Sequence, residues 1–162
     1  MLTLKSVDSQ AKIFSQLPVH SYINPDIFEI EKKAIFDKYP KYLGHRLMAP
    51  QHGNYQVLDA LNQSAVLVNN HGKINVLSNI CRHRQALMLE NKGSASHIVC
   101  PLHRWTYGLD GKLEGAPYFK ENPCLNLESF PVEEIHDLIF KQTQKQPSKN
   151  IKDAMEFKQL NQ

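Results

Sequence analysis

The chain has 162 residues, 41% of them hydrophobic and 22% charged, which suits one ordinary folded domain with extensions. Its net charge is +3 and its pI near 8.7, yet Lys, Arg, Asp and Glu are scattered. With no basic block to form a phosphate-binding stripe, no nucleic acid partner is expected. The opening MLTLKSVDSQAKIFSQLPV contains neither the apolar run of a signal peptide nor a segment long enough to cross a bilayer. A cytoplasmic protein with no membrane partner is expected.

In chain order, the first element is a helix. NPDIFEIEKKAIFDKYP offers Asn24 as N-cap, Pro25 at the first helical position, and apolar residues at Ile27, Ile30, Ala34 and Ile35, which predicts a helix to about Lys38. From Tyr55 the texture changes to short β-branched runs, YQVLD, SAVLVNN, KINVLSN, HIVC and RWTYGL, separated by polar or glycine-containing turns. Asn70-His71-Gly72 and Asp110-Gly111 read as hairpin turns, and two more strands are expected around Pro131–His136 and Asp137–Gln142. The pattern predicts a mostly β fold: an N-terminal arm with one helix over residues 1–53, an antiparallel β domain over 54–141, and a linker and tail over 142–162.

Three cysteines are an odd number with no dense framework, so metal ligation is a better reading than a disulfide scaffold for any patterned pair. Cys81 and Cys100 are patterned. Cys81-Arg82-His83 gives C-x-H, and after residues 84–99 Cys100-Pro101-Leu102-His103 gives C-x-x-H. Two thiolates and two imidazoles on two loops suit either one zinc ion or a [2Fe-2S] cluster. Zinc sites usually draw both cysteines from one knuckle, whereas here each loop supplies one thiolate and one imidazole. That division suits a two-iron rhomb with Cys81 and Cys100 on one iron and His83 and His103 on the other. Zinc stays open as the second reading. With two neutral imidazoles the oxidised core is neutral overall, so it accepts an electron more readily than an all-thiolate cluster: roughly −150 to +300 mV against about −400 mV.

The segment RHRQALMLENKGSASHIVCPLHRWTYGLDGKLEGAP resembles the Rieske domain of Rieske non-haem iron oxygenases, the ring-hydroxylating oxygenase α subunits. The resemblance rests on C-R-H-R and C-P-x-H-x-W-x-Y-x-L-D-G-x-L, matched at Cys81 to Arg84, Cys100, Pro101, His103, Trp105, Tyr107, Leu109, Asp110, Gly111 and Leu113. The flanking arm and the strands near FPVEEIHDLIF are similar too, so it extends over residues 17–140. It implies a Rieske-type antiparallel β domain holding one [2Fe-2S] cluster on Cys81, His83, Cys100 and His103. Trp105 and Tyr107 are candidates for tuning that cluster, and Arg84 and Arg104 for docking an acidic donor. The implied role is one-electron relay from a ferredoxin or reductase to a mononuclear iron in an oxygenase catalytic domain or subunit.

Gln85 and Arg104 stand where that family commonly has glycine, and Leu102 where it has tyrosine. The family's second iron site resembles D-x-x-H-x(4)-H, and no histidine pair outside the cluster region has that spacing, so no catalytic residue is assigned and the chain is not expected to complete an oxygenase reaction by itself. The alternative function is a stand-alone Rieske-type ferredoxin. Cys124 reads as a free structural thiol, and His71, His97 and His136 as structural or solvent-facing.

Overall fold

The computed structural model describes residues 17–142. The expected linker and tail therefore lie outside the described residues, apart from residue 142. The chain divides into two units, Met1–Asp37 and Lys38–Gln162.

In the first unit, a 3-10 turn over Val19–Tyr22 precedes helix α1, Pro25–Glu31. The Asn24 side chain accepts a hydrogen bond from the Asp26 N–H at 2.8 Å, and Pro25 occupies the first turn, where no N–H is needed. Past Glu31 the helix widens into a π-turn over Lys32–Phe36, closed by the Asp37 N–H on the Lys32 carbonyl. Helical structure thus stops at Phe36, short of Lys38, and Pro40 follows, which disfavours helical geometry at Tyr39. No residue of α1 or the π-turn is buried, so the apolar spacing that foretold the helix does not serve a core within the described residues.

The described residues of the second unit form eleven strands in three antiparallel sheets. They are β1 (Lys41–His45), β2 (Asn54–Val57), β3 (Ala65–Asn70), β4 (Lys73–Ser78), β5 (Lys92–Ser94), β6 (Ile98–Val99), β7 (Thr106–Tyr107), β8 (Leu113–Gly115), β9 (Ser129–Phe130), β10 (Val132–Ile135) and β11 (Leu138–Lys141). The sheets run β1-β11-β10, β5-β2-β3-β4-β9 and β6-β7-β8. This is the mostly β, antiparallel architecture that the sequence predicts. β1 lies inside the stretch read as arm, where it pairs with β11.

β3 sits at the centre of the five-stranded sheet and is buried on both faces, which is why it reads as a continuous apolar run rather than an alternation. Val66 and Val68 point into one core, with Tyr107 and Leu113 from the β6-β7-β8 sheet and Trp105 just before β7. Ala65 and Leu67 point into the other, with Leu43 of β1 and Ile139 of β11. Each large side chain so enclosed contributes about 1.5–3 kcal/mol.

Two tight turns fix the register. His71 and Gly72 both have positive φ, 51° and 86°, as the mirror-image turn between β3 and β4 requires. His136 and Asp137 do the same between β10 and β11. The side chain of Arg46, just after β1, joins these hairpins. It is paired with Glu134 of β10, which together with Asp137 raises its pKa against the lowering effect of burial, and it donates to the Gly72 carbonyl at 2.8 Å.

Candidate metal centre

The two cysteine-histidine loops have nearly the same backbone. Ile80 bridges Leu87, and Val99 pairs with Thr106, so each closure encloses six residues, 81–86 and 100–105. In the first loop the Cys81 N–H donates to the Ala86 carbonyl and the Gln85 N–H to the Cys81 carbonyl, both at 2.9 Å. In the second the Cys100 N–H donates to the Trp105 carbonyl at 2.8 Å and the Arg104 N–H to the Cys100 carbonyl at 3.1 Å. Cysteine opens each loop, and the fifth position, Gln85 or Arg104, takes positive φ, 56° and 62°. These are the two places where glycine is commonly found, so the departure leaves the backbone geometry intact and adds side-chain strain.

Equivalent loops place equivalent atoms. Cys81 and Cys100 are each 1% exposed and belong to the core, whereas His83 and His103 are only half-buried. The two imidazoles meet edge to face, with ring centres 4.7 Å apart. Thiols therefore lie inward and imidazoles outward. Among the described residues only two buried side-chain nitrogens have no hydrogen-bond partner, His83 Nδ1 and Trp105 Nε1. An enclosed imidazole nitrogen without a partner is costly unless it binds something. Burial, then the neighbouring His103 and Arg84, holds the His83 pKa below its usual value and favours the neutral ring that ligates metal.

Among the described residues no three His, Cys, Asp or Glu side chains converge so that one metal ion could take them all. A two-iron cluster takes its ligands in pairs, as the two equivalent loops offer them. The paired arrangement, the inward thiols and the unpartnered Nδ1 fit a [2Fe-2S] group.

Trp105 stacks on His83, with ring centres 4.9 Å apart and planes within 7°. The Tyr107 hydroxyl accepts from the Arg82 N–H at 3.1 Å and lies 3.5 Å from Cys81 Sγ, which leaves its own hydrogen available to that sulfur. Burial raises the Tyr107 pKa, so the hydroxyl keeps this proton. Arg84 and Arg104 are exposed and form no ion pair among the described residues.

A match to the Rieske [2Fe-2S] domain spans residues 44–131, more than half of the chain. The chain belongs to the Rieske [2Fe-2S] domain family. It carries a Rieske-type [2Fe-2S] cluster as its cofactor. A relative, putrescine 2-hydroxylase of Ralstonia nicotianae, is 45% identical over 126 residues, covering 78% of this chain and 34% of that protein. A solved naphthalene 1,2-dioxygenase from Rhodococcus sp. bound to indole superposes with TM-score 0.66 at 26% identity, over 78% of this chain and 32% of its own. The quaternary ammonium Rieske monooxygenase CntA in complex with an inhibitor superposes at 0.65 with 25% identity, over 83% and 40%. The chain thus spans about a third of the length of the curated relative. No helix among the described residues is long and apolar enough to cross a membrane.

Several of the other histidines have local partners. His71 stacks on His52 with ring centres 3.7 Å apart, and His97 lies 3.1 Å from Glu114. Cys124 is an exposed free thiol beside Asn122. One residue that positions the first loop escaped the sequence reading. Asn79 is fully buried, donates to the Leu89 and Gln63 carbonyls, and accepts from the Leu89 N–H, closing the base of the stretch that holds Cys81 and His83. A lone asparagine two residues before a cysteine carries no motif, so only tertiary contacts identify it.

Proposed function

We propose that Cys81, His83, Cys100 and His103 ligate the cluster, and that this chain relays single electrons to a mononuclear iron which these residues do not include. The carrying observation is the loop pair, which buries two thiols and leaves two imidazoles outermost with the His83 Nδ1 unpartnered. The cluster supplies one-electron chemistry at a potential above that of all-thiolate centres. Cys81 and Cys100 would hold one iron of the cluster, and His83 and His103 the other, the two imidazoles forming the short exit towards an acceptor, with their second ring nitrogens free to donate to a partner. Trp105 fixes the plane of His83 by stacking, and Tyr107 donates to Cys81 Sγ, favouring the reduced state.

Arg84 and Arg104 flank the outer histidines and suit an acidic ferredoxin or reductase as donor. The acceptor is the catalytic domain or subunit of a Rieske oxygenase. The resemblance to putrescine 2-hydroxylase makes a small aliphatic amine our choice of substrate for that oxygenase. A stand-alone ferredoxin remains the second reading, and the extension over residues 17–54 favours the oxygenase origin, because a free carrier needs little beyond the cluster domain.

An anaerobic redox titration of the purified protein tests the relay. The expected result is a reversible one-electron couple within about −150 to +300 mV, moved towards roughly −400 mV in His103→Cys. In Tyr107→Phe the couple falls by about 20–60 mV, the worth of one hydrogen bond to sulfur. A protein with no reversible couple contradicts the proposal.

A further inference from the structure

The loop between β8 and β9 places an aromatic ring beside the outer histidine pair. Phe119 stands nearly perpendicular to both stacked rings, at 88° to His83 with centres 6.0 Å apart and at 84° to Trp105 with centres 5.2 Å apart. Since His83 and Trp105 are themselves 4.9 Å apart, these three distances put Phe119 alongside the stack, not beyond either face. The position is anchored. The Phe119 N–H donates to the Ala116 carbonyl at 3.1 Å, and Asn122 Nδ2 donates to the Leu113 carbonyl at 3.0 Å. Both ties reach β8 or its end, and β8 pairs with β7, the strand that leaves the second cysteine loop.

Phe119 is 48% exposed while Trp105 is 1% exposed, so the phenyl ring forms the outer layer over the indole. Trp105 Nε1 is buried and has no hydrogen-bond partner, so the indole depends on ring packing, here His83 on one face and the perpendicular Phe119, to hold its place. We propose that Phe119 is a positioning residue for the cluster, a side wall that holds the Trp105–His83 stack and keeps water from His83 Nδ1. The proposal rests on the assignment of His83 as a ligand. A phenyl ring that only packs against the core alters thermal stability alone; a side wall also governs how fast the cluster is lost and how near water comes to the iron.

The test uses cluster-loaded protein carrying Phe119→Leu, Phe119→Ala or Phe119→Tyr. With excess iron chelator, bleaching of the visible band is expected about 3-fold faster in the leucine variant and about 10-fold faster in the alanine variant, the scale of one lost aromatic pair, with tyrosine restoring the original rate. Pulsed EPR of the reduced proteins in D₂O is expected to show stronger deuteron coupling in the leucine and alanine variants than in the tyrosine variant. Where alanine prevents loading, leucine decides. Unchanged bleaching and deuteron coupling in loaded Phe119→Leu overturn the proposal, as does tyrosine behaving like alanine. Loss of histidine nitrogen coupling in the unsubstituted protein removes the His83 assignment itself, and so separates that failure from one confined to Phe119.

Discussion

Gln85 and Arg104 take positive φ at the two positions where the resembling family's pattern has glycine. Both hold φ near +60° while their N–H groups close the cysteine turns, and a side chain there costs about 1–2 kcal/mol against glycine. Glycine also gives the unfolded chain more freedom, which offsets about half of that gain. Gln85→Gly and Arg104→Gly are therefore expected to raise stability by up to about 1 kcal/mol each, read from urea unfolding, whereas Gln85→Val lowers it by at least about 1 kcal/mol. A glycine variant less stable than the parent contradicts this account of the turns.

At the scale of elements, the cluster loops depend on what closes them. Asn79 satisfies three backbone groups with one side chain, so Asn79→Ala strands buried donors and acceptors and is expected to cost about 2–4 kcal/mol. Thermal unfolding checks the loss, and cluster content per chain is expected to fall with it. A fully loaded variant of unchanged stability removes the clamp from the argument.

The elements also show what a sequence can reveal. β2, β3, β4, β10 and β11 were legible because β-branched runs alternate or continue between turn residues, and His71-Gly72 marked its hairpin. β1, β5 and β9 were not. KYLGH and KGS contain glycine, and SF is two residues long, so pairing with a neighbour and not propensity makes them strands. In the site, the two cysteines and two histidines are visible because the chemistry needs them at fixed spacing, and Trp105 and Tyr107 through the family resemblance. Asn79 and Phe119 act across the fold, and their roles follow from what they touch.

For the whole molecule, the outer face of the site decides which partners it meets. His83 and His103 are half-buried, Leu102 beside them is 61% exposed, and Arg84 and Arg104 add two positive charges. An acidic donor is drawn to such a rim, and rim charges act chiefly on association rate. Arg84→Glu with Arg104→Glu is expected to slow reduction by an acidic ferredoxin about 10-fold or more at low salt, a difference that shrinks as ionic strength rises. Stopped-flow reduction over a salt series measures it. Equal rates for the double variant and the parent at low salt exclude this face as the docking surface.

The central claim is that a two-iron cluster is held by two thiolates and two imidazoles of this chain. Pulsed EPR of the dithionite-reduced protein labelled with ¹⁵N-histidine tests it most directly. The account predicts two strongly coupled histidine nitrogens, with His83→Cys and His103→Cys each removing one. A spectrum without histidine coupling, or a silent sample containing zinc, contradicts it.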